Sequence, residues 1–154
     1  MSAAKDRVRL WLRLLKVVRG MEYEVRDKLR REHNTTLPRF DVMSALSRHP
    51  DGLKMSQLSG VLRVSNGNVT GIADRLSEEG LVERVAVPGD RRATVLRLTQ
   101  AGLAEFAHQA QAHESWIDEM LSGVSPEDAR AMAARLQAFA AAAETNEKEH
   151  ADAQ

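Results

Sequence analysis

Residues 54–99, KMSQLSGVLRVSNGNVTGIADRLSEEGLVERVAVPGDRRATVLRLT, determine the fold that we expect for this chain. The first part contains two short helical patterns separated by a tight turn at Val64. Ser56 is the expected N-cap of the first helix and Ser65 that of the second, because serine side chains accept hydrogen bonds from exposed helix N–H groups. The second helix carries an apolar stripe at helical spacing: Val69, Ile72, Ala73 and Leu76. Two such helices bury one side of the second helix and leave its other side exposed.

The exposed side of the second helix has the chemistry of a DNA-reading surface. It carries Gly67 and Gly71, which let the backbone approach another surface closely but cost about 1 kcal/mol each in helix stability. Asparagine pairs with adenine edges, threonine bonds to bases or touches a thymine methyl group, and a helix N-terminus favours a phosphate. We therefore expect DNA contacts from the following residues: Ser56, Ser65, Asn66, Asn68, Thr70 and Arg75. The acidic end of the helix, with Asp74, Glu78 and Glu79, is expected to tilt away from DNA. The alternative is a surface helix without a ligand.

A β-hairpin is predicted directly after this helix. Gly80 is the expected helix-ending residue, and LVERVAV and ATVLRLT are strand-like runs on either side of PGDRR. Arg91 and Arg92 therefore lie at or near the tip of the hairpin. A hairpin that follows two such helices and carries arginines near its end is called a wing. Arginine suits phosphates and narrow minor grooves, so both arginines are predicted DNA contacts, against the alternative of solvated surface charge.

These motifs resemble those of the MarR family of bacterial winged-helix regulators. The resemblance rests on SNGNVT at residues 65–70, DRL at 74–76, GLVER at 80–84 and DRR at 90–92 ahead of LT at 98–99. It implies a homodimer that binds a pseudo-palindromic operator in double-stranded DNA, with an aromatic or phenolic effector in a cleft beside the winged domain. Gly67 and Gly71 depart from the bulkier residues of many relatives, which leaves the base preference open. Five residues are the candidate effector contacts, with core packing and a solvated arginine as the alternative: Trp11, Leu15, Arg19, Phe40 and Met43.

The flanking regions are expected to be helical and to form a dimer. The region 5–33 is apolar on more than one side, which indicates burial on more than one side, and a second copy of the chain is the simplest partner. Residues 100–148 form two further helical patterns, with the charged tail from Glu144 expected to fray. The expected fold is thus one mainly α domain over 1–154, with a winged helix-turn-helix region at 37–99 and a small β-hairpin wing.

Composition is that of an ordinary globular protein, with 43% hydrophobic and 29% charged residues among 154. The net charge of zero hides a segregation, because residues 1–100 hold 19 basic and 12 acidic side chains while 101–154 hold 3 and 10. A basic region of this kind favours a nucleic-acid partner. There is no cysteine, which excludes disulfides and thiolate chemistry. No apolar run reaches about 18 residues and no signal peptide is evident, so we expect a cytoplasmic protein without membrane spans.

Catalytic and metal-binding motifs are not found in the sequence. There is no P-loop and no nucleophile elbow, so we expect neither an enzyme nor a cofactor. His108 and His113 are five residues apart and lie on different helix faces, while His33, His49 and His150 are isolated in sequence, so no metal site is expected. The expected function is sequence-specific transcriptional regulation, as a repressor released by an effector. The alternative is a winged-helix module that docks a protein partner.

Overall fold

The computed structural model describes residues 2–62 and 66–153, and for Asn66, Gly67 and Arg91 it describes the backbone alone. The described residues form six helices and two strands, in this order: α1 (Ala3–His33), α2 (Leu37–Ser47), α3 (Met55–Leu62), α4 (Asn66–Glu78), β1 (Val82–Val87), β2 (Asp90–Leu98), α5 (Gln100–Met120) and α6 (Pro126–Asp152). The prediction of a mainly α fold with one hairpin is confirmed. Within these ranges, none of the helices combines the length and apolar character that a membrane crossing requires.

Local capping explains where the first two helices begin and end. The α1 helix stops at Asn34, whose φ of 49° places it in the left-handed region that asparagine tolerates better than most residues. Its backbone N–H still bonds to the carbonyl of Leu29. Thr36 then caps α2 by accepting a hydrogen bond from the backbone N–H of Arg39, and Pro38 occupies the first turn, where its missing N–H is not needed.

The core is built where α2, α3 and α4 pack against the hairpin. Its buried members are Val42, Met43, Ala45, Leu46, Leu53, Leu58, Val69, Ala73, Leu76, Val82, Leu96 and Leu98. A short bridge that the sequence pattern did not predict joins the α2–α3 connection to β2, with two backbone hydrogen bonds of 3.0 and 2.8 Å between Leu53 and Leu96. Gly52 precedes this bridge with a φ of +94°, and a Cβ there would lie 2.8 Å from a methyl group of Val95. Glycine is therefore required at this position.

The chain divides into two compact units, Met1–Ile117 and Asp118–Gln154. The second unit contains the end of α5 and α6. Ser125 caps α6 by accepting a hydrogen bond of 3.1 Å from the N–H of Asp128, as its position before Pro126 predicts. The expected fraying from Glu144 is wrong, because α6 continues to Asp152. None of the described residues of α6 is buried, and its larger apolar side chains, Met132, Leu136 and Phe139, are exposed.

The α1 helix has its buried side chains in its second half and is largely exposed along its first half. Val25 and Leu29 are in the core of the first unit. The apolar residues of the first half are instead exposed in the single chain: Val8, Leu10, Trp11, Leu12, Leu14, Val17 and Val18. Such a contiguous apolar surface on a small protein typically marks an interaction site.

Candidate DNA-binding site

The orientation of α4 agrees with its sequence periodicity. Val69, Ala73 and Leu76 are fully buried, and Ile72 is partly buried against the same core. Asn68, Thr70 and Arg75 are exposed on the other side. A Cβ at Gly71 would meet nothing within 4 Å, so this stretch of the exposed face is open. The turn predicted at Val64 and two further predicted contacts, Ser65 and the side chain of Asn66, lie outside the described residues.

The prediction that Ser56 caps α3 is wrong, although Ser56 is exposed and could still contact DNA. Ser56 lies inside the first turn of α3, where its side chain is exposed. The helix is capped by other residues: the carbonyl of Lys54 accepts the first helical hydrogen bond, from the N–H of Leu58. Gln57 reaches back to accept a hydrogen bond of 2.9 Å from the N–H of Lys54. This is the glutamine half of a capping box, and Ser56 is not needed for the cap.

The end of α4 is held by a Schellman motif and tied to α5. Gly80 has a φ of +75°, and the N–H groups of Gly80 and Leu81 donate to the carbonyls of Ser77 and Leu76, respectively, as the motif requires. The hydroxyl of Thr99 then donates to the carbonyl of Gly80 at 2.7 Å and accepts from the N–H of Gly102 at 3.0 Å. One threonine side chain therefore joins the end of the candidate recognition helix to the first turn of α5.

Two of the three carboxylates at the acidic end of α4 are neutralised by arginines. Asp74 accepts a hydrogen bond of 2.7 Å from Arg84 of β1. Glu79, just after the helix, pairs with Arg39 of α2, whose side chain is largely buried. Sequence reasoning missed both pairs, because their partners are ten and forty residues away. The pairing reduces the repulsion that this end of α4 would exert on DNA phosphates.

The wing forms as predicted but its second strand begins earlier than expected. Pro88 and Gly89, the latter with a φ of +85°, occupy the turn as in a type II turn, and β2 begins at Asp90 instead of residue 93. The strands pair regularly from Val82↔Leu98 to Ala86↔Thr94, and the next pair is Val87↔Asp90. Residues 91–93 therefore form a bulge that has no counterpart on β1.

The predicted wing arginines lie in this bulge. Arg92 is exposed, and its backbone N–H donates to the Asp90 carboxylate at 3.1 Å, which holds the turn in place. The side chain of Arg91 lies outside the described residues. Nearer the base of the hairpin, Arg97 is instead paired with Glu83 on the facing strand at 2.8 Å. Arg92 therefore projects from an irregular tip, while the base of the wing is internally neutralised.

The five candidate effector residues are spread over different environments. Trp11 and Arg19 are exposed on α1 and Leu15 is partly buried there, whereas Phe40 and Met43 are buried on α2. The ring of Phe40 packs against Phe106 and His113 of α5 at 5.5 and 4.8 Å. Their role as effector contacts stays a prediction.

A cleft of about 280 Å³ lies between α1, α2 and α5, and none of these five residues is part of its lining. The lining consists of Val18, Met21, Glu22, Val25, Leu37, Asp41, His113 and Ile117. Burial, with a further contribution from the Glu22 carboxylate, raises the pKa of Asp41, while His113 and Arg26 act in the opposite direction. The cleft is thus mainly apolar with acidic groups at its wall, and sequence periodicity alone did not indicate it.

His33, which is isolated in sequence, has aromatic neighbours in three dimensions. Its ring lies 5.0 Å from that of His108 and 5.8 Å from that of the buried Trp116. Lys28 lies 5.8 Å from the centre of the same indole ring. These contacts are aromatic packing at the junction of α1 and α5. Within the part of the chain that the structure describes, no group of three or more histidine or acidic side chains could hold a metal ion.

Comparisons with known proteins agree with this geometry. A family model described as "MarR family" matches residues 33–93. The crystal structure of a MarR family transcriptional regulator from Silicibacter pomeroyi is 34% identical in sequence, covers 92% of this chain and 98% of that chain, and superposes with a TM-score of 0.74. The HTH-type transcriptional repressor MdtR of Bacillus subtilis (strain 168) is 31% identical over 109 residues, which are 71% of this chain and 70% of that protein.

A mutant MarR from E. coli, crystallised in complex with operator DNA, shares the fold, with a TM-score of 0.73 at 21% identity over 90% of this chain and 99% of that chain. Two further curated transcriptional regulators match this chain over 63% and 66% of their own lengths.

Proposed function

Because this chain belongs to the MarR family of transcriptional regulators, we propose that it binds operator DNA sequence-specifically and regulates transcription through that binding. The observation that carries the proposal is the exposed face of α4, which is uncharged along its first half and open at Gly71. Its other face is anchored by three fully buried side chains, Val69, Ala73 and Leu76. An anchored helix with a small polar face matches the requirement for entry into a major groove.

In the proposed complex, α4 lies in the major groove. Asn68 and Thr70 contact base edges, where an asparagine can bond adenine in two places. Ser56, Ser65, Asn66 and Arg75 bind phosphates on either side of the groove and fix the register of the helix. The wing reaches the neighbouring minor groove or its phosphates through Arg91 and Arg92, since arginine is favoured where that groove is narrow.

The proposed regulator is a homodimer. Its dimer regions are 5–33 and 100–148, and the winged helix-turn-helix region is 37–99. The exposed apolar side chains of α1 and α6 support this proposal. Burial of apolar surface against a second copy would stabilise the dimer by about 25 cal/mol for each Å² buried. A two-fold symmetric dimer places two α4 helices on a pseudo-palindrome whose half-sites are about one helical turn apart.

We further propose that the protein acts in the cytoplasm as a repressor that a small aromatic or phenolic effector releases. In this proposal the dimer has two states, and in one of them the spacing of the α4 helices does not match the half-sites. An effector that binds this state more tightly increases its population and so lowers the affinity for DNA. The bridge from α4 through Thr99 to α5 supplies a route, because a displacement of α5 acts directly on the end of the recognition helix. The candidate effector contacts are Trp11, Leu15, Arg19, Phe40 and Met43.

The test is selection of bound sequences from a random DNA pool by the purified protein, followed by affinity measurements on the enriched duplex. We expect an inverted repeat with half-site centres about 10 base pairs apart. Replacement of both wing arginines, Arg91→Ala with Arg92→Ala, is expected to weaken binding and flatten its salt dependence. Arg97→Ala is the matched control on the same hairpin, because Arg97 is already paired with Glu83. A protein that enriches no sequence, and whose weak binding follows salt alone, refutes the proposal.

A further inference from the structure

A cleft in two adjoining parts lies beside α4, on the side where α1 and α2 meet. Its larger part, about 350 Å³, is lined by Arg26, Arg30, Thr35, Thr36, Leu37, Pro38, Asn68 and Ile72. An adjoining part of about 240 Å³ shares Thr36, Asn68 and Ile72 and adds Arg39, Gly71 and Arg75. The two parts therefore join a segment of α1 to the exposed face of the recognition helix.

The described lining of this cleft contains four arginines and no acidic residue. Two of these arginines are paired elsewhere: Arg26 with Glu22 at 3.6 Å and Arg39 with Glu79. The side chains of Arg30 and Arg75 have no hydrogen-bond or ion-pair partner among the residues that the structure describes. In addition, Nε of Arg39 is buried without an acceptor among those same residues. The cleft thus combines uncompensated positive charge with an unused hydrogen-bond donor.

We infer that this cleft receives a backbone phosphate of the bound DNA, with Arg30 of α1 as a phosphate contact beyond the recognition helix and the wing. The inference rests on the proposed DNA binding. A helix in the major groove is flanked by the phosphates of both strands, because the groove is about 12 Å wide. The cleft begins at Asn68, on the face proposed to read bases, and extends away from it towards Arg30. In the proposed complex, the positive charge of the cleft therefore lies next to a phosphate that flanks the groove.

This contact gives α1 a second role. The first half of α1 carries the apolar surface proposed for dimerisation, and the second half would hold DNA directly. Each protomer then holds its phosphate with the same helix, α1, that forms the proposed dimer interface. The distance between the two phosphate contacts therefore depends on how the two α1 helices pack, and not on the winged region alone. A guanidinium suits this role because it donates to phosphate oxygens in two parallel hydrogen bonds.

The test uses the full-length protein and the duplex enriched by selection. Arg30→Gln removes the charge, and Arg30→Lys retains it. Arg31→Gln is the matched control, because this neighbouring arginine is also exposed but already paired with Asp27 at 2.8 Å. Affinity is measured over a series of salt concentrations on the enriched duplex and on a scrambled duplex, and the melting temperature and molar mass of each variant are measured alongside.

For Arg30→Gln we expect about tenfold weaker binding on both duplexes and a salt dependence whose slope falls by about 0.9 for each protomer. Sequence preference, melting temperature and molar mass should not change. Arg30→Lys should recover most of the slope, and Arg31→Gln should match the parent. If Arg30→Gln binds DNA with the same affinity and the same salt dependence as the parent, the inference is wrong, whereas the proposed function is unaffected. A changed sequence preference would also overturn it, since it would indicate a base contact.

The alternative occupant of the cleft is a small free anion, which would bind the same arginines as a DNA phosphate. In the absence of DNA, inorganic phosphate and benzoate are each titrated against the parent and Arg30→Gln, with melting temperature as the readout. We expect no Arg30-dependent shift. A shift that is lost in Arg30→Gln, together with unchanged DNA binding by that variant, would assign the cleft to a small anion and overturn the assignment to DNA. Failure of the parent to enrich any sequence would refute the proposed function itself.

Discussion

Replacing Gly71 by alanine should stabilise the protein and weaken its DNA binding. Gly71 lies in the interior of α4 and its φ is not in the left-handed region. A Cβ added there would meet no atom within 4 Å, so neither the backbone nor the packing requires glycine. Alanine in a helix interior is worth about 1 kcal/mol relative to glycine. For a chain of this size, that corresponds to an increase in melting temperature of about 2–4 °C.

The same methyl group should interfere with the DNA complex. It would stand on the open face of α4 next to Asn68 and Thr70, where the backbone is proposed to approach the floor of the groove. A good bidentate contact to a base is worth about 1–3 kcal/mol, and about 1.4 kcal/mol corresponds to tenfold in affinity. Loss of one such contact in each protomer therefore predicts at least tenfold weaker binding to the enriched operator, with a smaller effect on scrambled DNA.

The two effects are measured by thermal unfolding and by fluorescence anisotropy with a labelled operator. Gly20→Ala is the matched control, because Gly20 is also in a helix interior where an added Cβ would meet no atom within 4 Å, but it lies on α1 outside the winged region. It should gain similar stability and retain parental affinity. If Gly71→Ala is stabilised and binds operator as tightly as the parent, the proposed close approach of α4 to the groove is refuted.

Three further substitutions test other parts of the structure. Gly102→Ala would place a Cβ 1.9 Å from the carbonyl oxygen of Leu81, so the start of α5 must move, and we expect a loss of about 2–4 kcal/mol in the free energy of unfolding by urea denaturation. Asp41→Asn should raise the melting temperature near neutral pH and lose that advantage at about pH 4. Because the pKa of Asp41 is raised, its contribution to stability is present below the ordinary aspartate pKa and is lost as pH rises through the raised value. Val17→Glu, on the exposed apolar surface of α1, should convert a dimer into a monomer in light-scattering measurements of molar mass; an unchanged dimer would contradict the proposed interface.

Features set by short-range patterns were predictable from the sequence. The buried stripe of α4 follows from helical periodicity, and the helix end at Gly80 follows from the need for a positive φ at that position. The turn at Pro88 and Gly89 follows from the fixed φ of proline and the freedom of glycine. These residues act through their own backbone or through neighbours within one or two turns, so their effects can be recognised without knowledge of the fold.

Features set by contacts between distant residues were not predictable in this way. The choice between Ser56 and Lys54 at the start of α3 depends on where the backbone leaves its bridge to β2, and the serine pattern alone favours the wrong residue. The pairing of Arg39 with Glu79 and the packing of His33 on His108 join residues forty and seventy-five positions apart. Periodicity places each of these side chains on a helix face, but only the packing of the helices shows which faces meet.

The bulge at residues 91–93 separates two parts of the wing that can change independently. The paired base, from Val82↔Leu98 to Ala86↔Thr94, is fixed by side chains that enter the core, and a one-residue slip there would reverse the faces of both strands. The tip carries its extra residues outside the ladder, so insertions or deletions at this point leave the base in register. During evolution, or in engineering, the reach of the wing can therefore be lengthened or shortened without rebuilding the domain that supports it.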